Sequence, residues 1–232
     1  DIHTGGIDHI PVHHTNEIAQ SEAAYDKPLA NYWLHAEHIK VDDHKMSKSL
    51  KNFYTLDDLK KRGFNPLAFR YLTFGAHYRS SLNFTWDAQR SAANSLNNLY
   101  HEVALLGFLA KKNEKSGGGK EYEKKFEYAI NDDLNLPQAL SVVHDLIGDM
   151  KVGAKEKRKL ILKFDEVLGL DFKKADKLSK PPAKVSRLVK EREGLRSNKQ
   201  FMKSDALRKE IERLGYTVED TEKGPFVWPL KM

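Results

Sequence analysis

Apolar residues recur at helical spacing along most of this chain, and strand-like alternation is confined to its two ends. Between 86 and 111 the positions Ala88, Ala92, Leu96, Leu99, Val103 and Leu106 step by three and four, which predicts one long amphipathic helix. Residues 121–150 predict a helix to about Ala129, a turn at Asn131-Asp132-Asp133, and a second helix from near Pro137. Another helix is predicted over 154–168 and stopped by Gly169. This succession over 86–168 argues an antiparallel bundle. Residues 183–195 and 202–214 predict two more helices closed by Gly215, followed by short strands over 216–220 and 225–228 around a Glu222-Lys223-Gly224 turn.

The first part of the chain mixes both periods. Residues 1–13 read as a short strand and a glycine turn, and 14–25 as a helix with its Ile18 and Ala23 side toward a core, ended by Lys27-Pro28. Residues 32–41 suit one strand, followed by an Asp42-Asp43 turn. Thr55 caps a helix with Asp58 three residues on, broken at Gly63, and Pro66 opens another over 67–74. Two polar stretches read as linkers: 111–120 with its Gly117-Gly118-Gly119, and 174–184 with Pro181-Pro182. The fold class expected is mostly α with an α/β start. It comprises a partial Rossmann-like nucleotide-binding domain over 1–50, a connecting region over 51–85, a helical bundle over 86–173 and a small α+β module over 183–232.

Composition narrows the function classes. In 232 residues, 40% hydrophobic content supplies a core, and a formal charge of +6 points to a polyanionic partner, most simply nucleic acid. There is no cysteine, which excludes disulfides and thiolate metal sites within this chain. The apolar runs are too short for a membrane span, so no membrane partner is expected. The chain opens at Asp1 with a strand running straight into a turn and no signal peptide, so it reads as beginning inside a domain.

Four constellations carry chemistry. Gly5-Gly6-Ile7-Asp8 places two glycines after a strand, which lets a ligand approach the backbone, and an aspartate able to accept from ribose hydroxyls; a plain strand-end turn with a capping aspartate is the other reading. His13 and Glu17 stand at i and i+4 on a helix, a two-ligand half of a zinc site, or else a salt-bridged helix start. Seven of the ten histidines fall in the first 44 residues, which points to a functional pocket. Lys45-Met46-Ser47-Lys48-Ser49 makes a mobile cationic loop able to close over a polyphosphate and stabilise charge when an α-phosphate is attacked. Near the end, Arg196, Phe201, Asp205, Arg208 and Asp220 offer groups that read base edges or stack on a base, although such residues on amphipathic helices usually make surface salt bridges.

Taken together, these residues resemble the cysteinyl-tRNA synthetase family, whose members are class I aminoacyl-tRNA synthetases. Gly5-Gly6-Ile7-Asp8, His13-His14-x-Asn16-Glu17-Ile18-Ala19-Gln20-Ser21-Glu22, Asn31-Tyr32-Trp33-x-His35 and Lys45–Ser49 follow the family's order and spacing. So do Ala76-His77-Tyr78-Arg79-Ser80, Asn131-Asp132-Asp133 and Asp205-x-x-Arg208. The resemblance implies a cytoplasmic, monomeric enzyme of protein synthesis that activates cysteine with ATP and magnesium and transfers it to cysteine tRNA. Gly5, Gly6, Asp8 and the loop Lys45, Met46, Ser47, Lys48 and Ser49 would bind ATP, with Lys45 and Lys48 catalytic. His13 and Glu17 would be two of four zinc ligands, and the zinc would select a thiol over a hydroxyl by coordination. Arg79 would touch the inner tRNA stem, and Arg196, Phe201, Asp205, Arg208 and Asp220 would lie near the anticodon.

This sequence departs from the family pattern in four ways. It has no HIGH tetrapeptide and neither of the family's zinc cysteines, Val12 follows Pro11 where a Phe-Pro is common, and Thr15 replaces a frequent acid. The chain is thus expected to be a truncated portion with negligible cysteine-dependent ATP–pyrophosphate exchange on its own. Two other readings stand: an ATP-dependent ligase joining cysteine to an amino sugar, which needs no basic C-terminal module, and a non-catalytic tRNA-binding module, which gains nothing from the lysine loop.

Overall fold

The computed structural model describes residues 1–110 and 117–230. Residues 111–116 of the expected first linker lie outside the described residues. The chain divides into two compact units, 1–93 with 127–140 and 94–126 with 141–232. Helices dominate, with an α/β start and a small α+β close. Among the described residues no helix is long and apolar enough to cross a membrane.

The first unit opens with β1 (Ile2–Gly6), tight helical turns over 7–14, α1 (Thr15–Tyr25) and β2 (Tyr32–Ala36). β1 and β2 pair in parallel, Ile2 opposite Tyr32 and Gly6 opposite Ala36, which requires the helical crossover between them. Their carboxyl ends therefore lie together, the end at which open α/β sheets bind ligands. Alternation along the strands sets His3 and Gly5 on one face with their partners Trp33 and His35.

Two sequence expectations fail in this region. α1 buries none of its residues: Ile18 is half-buried and Ala23 exposed, because the two-stranded β1–β2 layer is too narrow to cover the helix's apolar side. The stretch 32–41 is not one strand. It breaks at Glu37-His38, where the Glu37 N–H donates to Tyr78 O at 2.8 Å, and β3 (Ile39–Val41) joins a second sheet. That sheet has the order β4-β3-β5, with β4 (His44–Lys45) antiparallel and β5 (Leu82–Phe84), a strand the alternation did not reveal, parallel to β3. The β3–β4 hairpin turns at Asp42-Asp43, both in the left-handed region that such tight hairpins need.

α2 (Leu56–Lys61) begins with the expected capping box, since Thr55 Oγ1 accepts from the Asp58 N–H and Asp58 accepts from the Thr55 N–H. Asn65 caps α3 (Pro66–Thr73), with Pro66 in its first turn. Val41, Leu59 and Phe84 form a small core, against which Met46, Tyr54, Phe69 and Trp86 pack.

The long helix α4 (Trp86–Leu109) runs into the second unit, where Leu96, Leu99, Tyr100, Val103 and Leu106 are buried. α5 (Lys120–Asn131), α6 (Leu136–Gly148) and α7 (Ala154–Leu168) follow, and Phe126 stacks on Phe164 at 4.1 Å between centroids. Gly169 ends α7 in the left-handed region. The expected second linker is corrected: 172–178 is helical, including α8 (Ala175–Leu178), with Phe172 and Ala175 fully buried. Only 179–182 is irregular, at Pro181-Pro182. The closing module sets α9 (Ala183–Ser197) and α10 (Phe201–Arg213) on the antiparallel hairpin β6 (Tyr216–Thr221) and β7 (Gly224–Pro229), around Val185, Val189, Ile211, Val218 and Val227.

Candidate functional site

The carboxyl end of the β1–α1–β2 unit gathers histidine rings. His14 is 4% exposed, and its ring lies within 4.7–5.7 Å of those of His3, His9, His13, Trp33 and His35. Its Nδ1 is 2.7 Å from His35 Nε2. Burial, then the neighbouring His3 and His35, lowers the His14 pKa. Of the seven early histidines, five share this cluster, His38 pairs with Asp8, and His44 stands apart on β4.

Glu17 reaches into the cluster from α1. Its Oε1 lies 3.5 Å from His13 Nε2, so the spacing of four does bring this pair together. Its Oε2 lies 3.0 Å from His3 Nε2 and 4.0 Å from His14 Nε2, and it is sealed from solvent without a hydrogen bond. His3, His14 and Glu17 hold ligand atoms within 4.8 Å of one another. An orphaned carboxylate oxygen facing imidazole nitrogens suits a cation, and nitrogen with carboxylate oxygen suits zinc.

Both glycines face side chains of their own unit. A Cβ on Gly5 would fall 2.6 Å from His14 Cε1 and 2.8 Å from His9 Nδ1, and one on Gly6 would fall 2.5 Å from Asp8 Oδ1. The packed His14 and His9 rings leave no room for a Cβ on Gly5, whereas the atom nearest a Gly6 Cβ is the end of the exposed Asp8 side chain, which can swing aside. Asp8 is over half exposed, with Oδ1 3.2 Å from His38 Nε2.

The lysine loop leaves β4. Lys45, Lys48 and Ser49 are exposed, while Met46 is drawn into the small core, which anchors the loop at its second residue. The Ser47 N–H donates to Asn52 Oδ1 at 2.8 Å, and Asn52 Nδ2 donates to Lys45 O at 3.1 Å. Ser47 Oγ accepts from the Leu50 N–H and meets Ser49 Oγ at 3.1 Å. Lys48 Nζ stands 5.8 Å from the Phe53 ring centre. The backbone is thus pinned and both ammonium groups are presented to solvent, an arrangement able to receive phosphate oxygens. Asn52 escaped the sequence reading; its signal is an amide side chain seven residues after Lys45, in reach of the start and the middle of the loop.

Arg79 is engaged within its own unit. Its Nε lies 2.6 Å from Asp133 Oδ2 and donates to Tyr78 Oη, whose hydroxyl donates to Asp133 Oδ1 at 2.6 Å. Hydrogen bonds from Tyr78 and Arg79 hold the Asp133 carboxyl below its usual range. In the closing module Phe201, Asp205 and Arg208 lie along the exposed side of α10, and Arg208 pairs at 3.5 Å with Glu212. Asp220 instead is gripped by Arg192, with Arg196 at 3.5 Å, and this pairing lowers its pKa. Arg192 also escaped the sequence reading, because a buried arginine on a polar helix resembles any surface charge.

Three family models match in succession. They are described as tRNA synthetases class I (C) catalytic domain over 1–94, DALR domain over 125–173, and Cysteinyl-tRNA ligase anticodon binding domain over 179–227. A cysteine-tRNA ligase of Burkholderia lata is 40% identical over 237 residues, covering 100% of this chain and 48% of the relative. This chain belongs to the cysteine-tRNA ligase family.

A cysteine-tRNA ligase of Chlamydia felis is 38% identical, over 98% of this chain and 50% of the relative. The chain spans about half the length of the curated family members it matches. Among solved structures, a LeuRS of Agrobacterium radiobacter K84, in a ternary complex with tRNA and LeuAMS, shares the fold over 76% of this chain and 26% of its own, with a TM-score of 0.54 and 15% identity. The lysine loop and the histidine cluster both fall inside the catalytic-domain match, and the Arg192–Asp220 pair falls inside the anticodon-domain match.

Proposed function

We propose that this chain is the part of a cytoplasmic, monomeric cysteine-tRNA ligase that supplies the phosphate-binding loop, half of the metal site and the tRNA-reading regions. The whole enzyme would activate cysteine with ATP and magnesium and pass it to cysteine tRNA. The single observation that carries this reading is the lysine loop, pinned by Asn52 with Lys45 and Lys48 open to solvent, inside a region matching the class I catalytic domain. Lys45 and Lys48 would stabilise charge on the phosphates as the cysteine carboxylate attacks and pyrophosphate leaves. Gly5, Gly6 and Asp8 would line the nucleotide end, with Asp8 accepting from the ribose.

His13 and Glu17 would hold zinc as two of four ligands. His3 and His14 favour a variant of that site, because their ligand atoms already stand with Glu17. The zinc, when bound, would supply a borderline-soft cation that prefers a thiolate sulfur to a hydroxyl. With no cysteine in 232 residues, thiolate ligands for it must come from outside this chain.

Domain roles follow the same proposal: catalytic over 1–50, stem contact over 51–85 with Arg79, a helical bundle over 86–173, and anticodon reading over 183–232 with Arg196, Phe201, Asp205, Arg208 and Asp220. The anticodon-domain match supports it over the amino-sugar ligase. The test is binding of this chain to cysteine tRNA and to the same tRNA with a changed anticodon, over a salt series. A clear preference for the native anticodon is expected. Salt-dependent binding that ignores the anticodon would mean charge attraction alone and would sink the reading.

A further inference from the structure

Arg192 is the largest fully buried side chain among the described residues. It lies one helical turn before Arg196 on α9, so both guanidinium groups face the same way. They converge on one carboxylate of β6. Arg192 Nη1 and Nη2 donate to Asp220 Oδ1 and Oδ2 at 2.8 and 2.9 Å, and Arg196 Nη2 lies 3.5 Å from Oδ2. Nη1 also donates to Glu193 Oε1 at 2.7 Å.

Arg192 Nε is sealed from solvent with no partner. A buried guanidinium with an orphaned N–H is a poor device for stability, since packed apolar residues in place of such a pair are often neutral or stabilising. Its rigid fork does something apolar packing cannot: it locks a carboxylate in one orientation. Asp220 is the opposite kind of partner. Its side chain is 42% exposed, and a carboxylate keeps lone pairs beyond the two that Arg192 uses. The pair therefore has a buried end that fixes and an open end that can be read.

We propose that Arg192 is a positioning residue for recognition of an unpaired nucleobase, holding Asp220 so that its free lone pairs accept from a base amine or ring N–H while Arg196 donates to an acceptor on the same base edge. This rests on the reading of the closing module as an anticodon reader. Arg192 itself touches no nucleotide.

The experiment compares the 232-residue chain and its variants for binding to cysteine tRNA and to the same tRNA with a changed anticodon, at one salt concentration, with thermal unfolding alongside. Arg192→Lys keeps the charge but cannot grip both oxygens. Its preference for the native anticodon is expected to fall by about tenfold or more. Its affinity for the altered tRNA, which reports phosphate contacts, is expected to stay within about twofold. Asp220→Asn breaks the same pair from its exposed end and is expected to lose the same preference, with the double variant no worse than either single one. If Arg192→Lys does not fold, Asp220→Asn decides alone, and a retained preference there overturns the proposal. A folded Arg192→Lys chain that weakens toward both tRNAs equally would mark a packing role and also overturn it. A parent chain without anticodon preference defeats the module reading and this proposal together, whereas a discriminating parent and an equally discriminating Arg192→Lys chain defeat this proposal alone.

Discussion

Two histidines, the buried His14 of the first unit and the half-buried His101 of the second, are pushed in opposite directions. His14 loses proton affinity to burial and to the rings of His3 and His35, whereas His101 on α4 gains it from Glu102, 3.7 Å away, and Glu219, 2.7 Å away. A neutral imidazole keeps a lone pair for a cation or a ligand; a protonated one is a fixed charge that closes a contact. Their surroundings repeat the contrast. α1 buries nothing beside His14, and Ile2, Ile10 and Val12 stay exposed nearby, while α9 buries Val185, Val189 and Arg192 in the closing module. One region presents its groups and the other consumes them.

The largest effect should come from one substitution made on both sides of that contrast. Ile211, fully buried in the closing module, is expected to lose about 2–5 kcal/mol on change to alanine, the transfer cost plus a cavity. Ile18, half-buried on α1, is expected to lose less than about 1 kcal/mol for the same change. Urea unfolding of the two variants measures both. Equal losses would break the comparison, because α1 would then be packed as tightly as α10.

A smaller effect should come from two glycines. Gly5→Ala forces a methyl against the rings of His14 and His9 and is expected to cost about 1–3 kcal/mol and to shift the histidine ring resonances in NMR spectra. Gly194→Ala in α9 meets nothing within 4 Å and is expected to stabilise by up to about 1 kcal/mol through helix propensity. A Gly5→Ala chain with unmoved ring resonances would show that the cluster is looser than its geometry.

How legible this was in the sequence depended on how local each cause is. The long helix, the Thr55–Asp58 capping box, the Asp42-Asp43 turn and the Gly169 and Gly215 stops are set by neighbours within a few residues, and they stand where the pattern put them. The break between β2 and β3 is set by Tyr78, forty-one positions from Glu37, and no local pattern carries it. The candidate site behaves the same way. The His13–Glu17 spacing was readable, but His3 and His35 reach His14 only because β1 and β2 pair in parallel register. The two glycines are plain in the sequence, but that the His14 and His9 rings come up against Gly5 is not, because those rings arrive from the turns after β1.

The smallest and most specific test concerns His101 itself. Around it stand Glu102 on its own helix, Glu219 from β6, and the rings of Phe226 and Trp228 from β7, which do not titrate. Both carboxylates favour the imidazolium, so the folded pKa lies above the ordinary value of 6.5. A group raised in the folded state stabilises fully below its unfolded pKa and loses that contribution as pH climbs through the folded one. His144, in the same unit, is lowered by burial and behaves oppositely, losing stability as pH falls. The pH profile of the parent alone therefore mixes two signs, and the difference between parent and His101→Gln isolates one. That difference is expected to be about 0.5–1 kcal/mol at pH 6, the scale of a single ion pair, and to shrink toward pH 8 in urea unfolding. A difference that stayed constant across this range would mean that His101 acts by packing against Phe226 and Trp228, and the charge contrast with His14 would lose its second half.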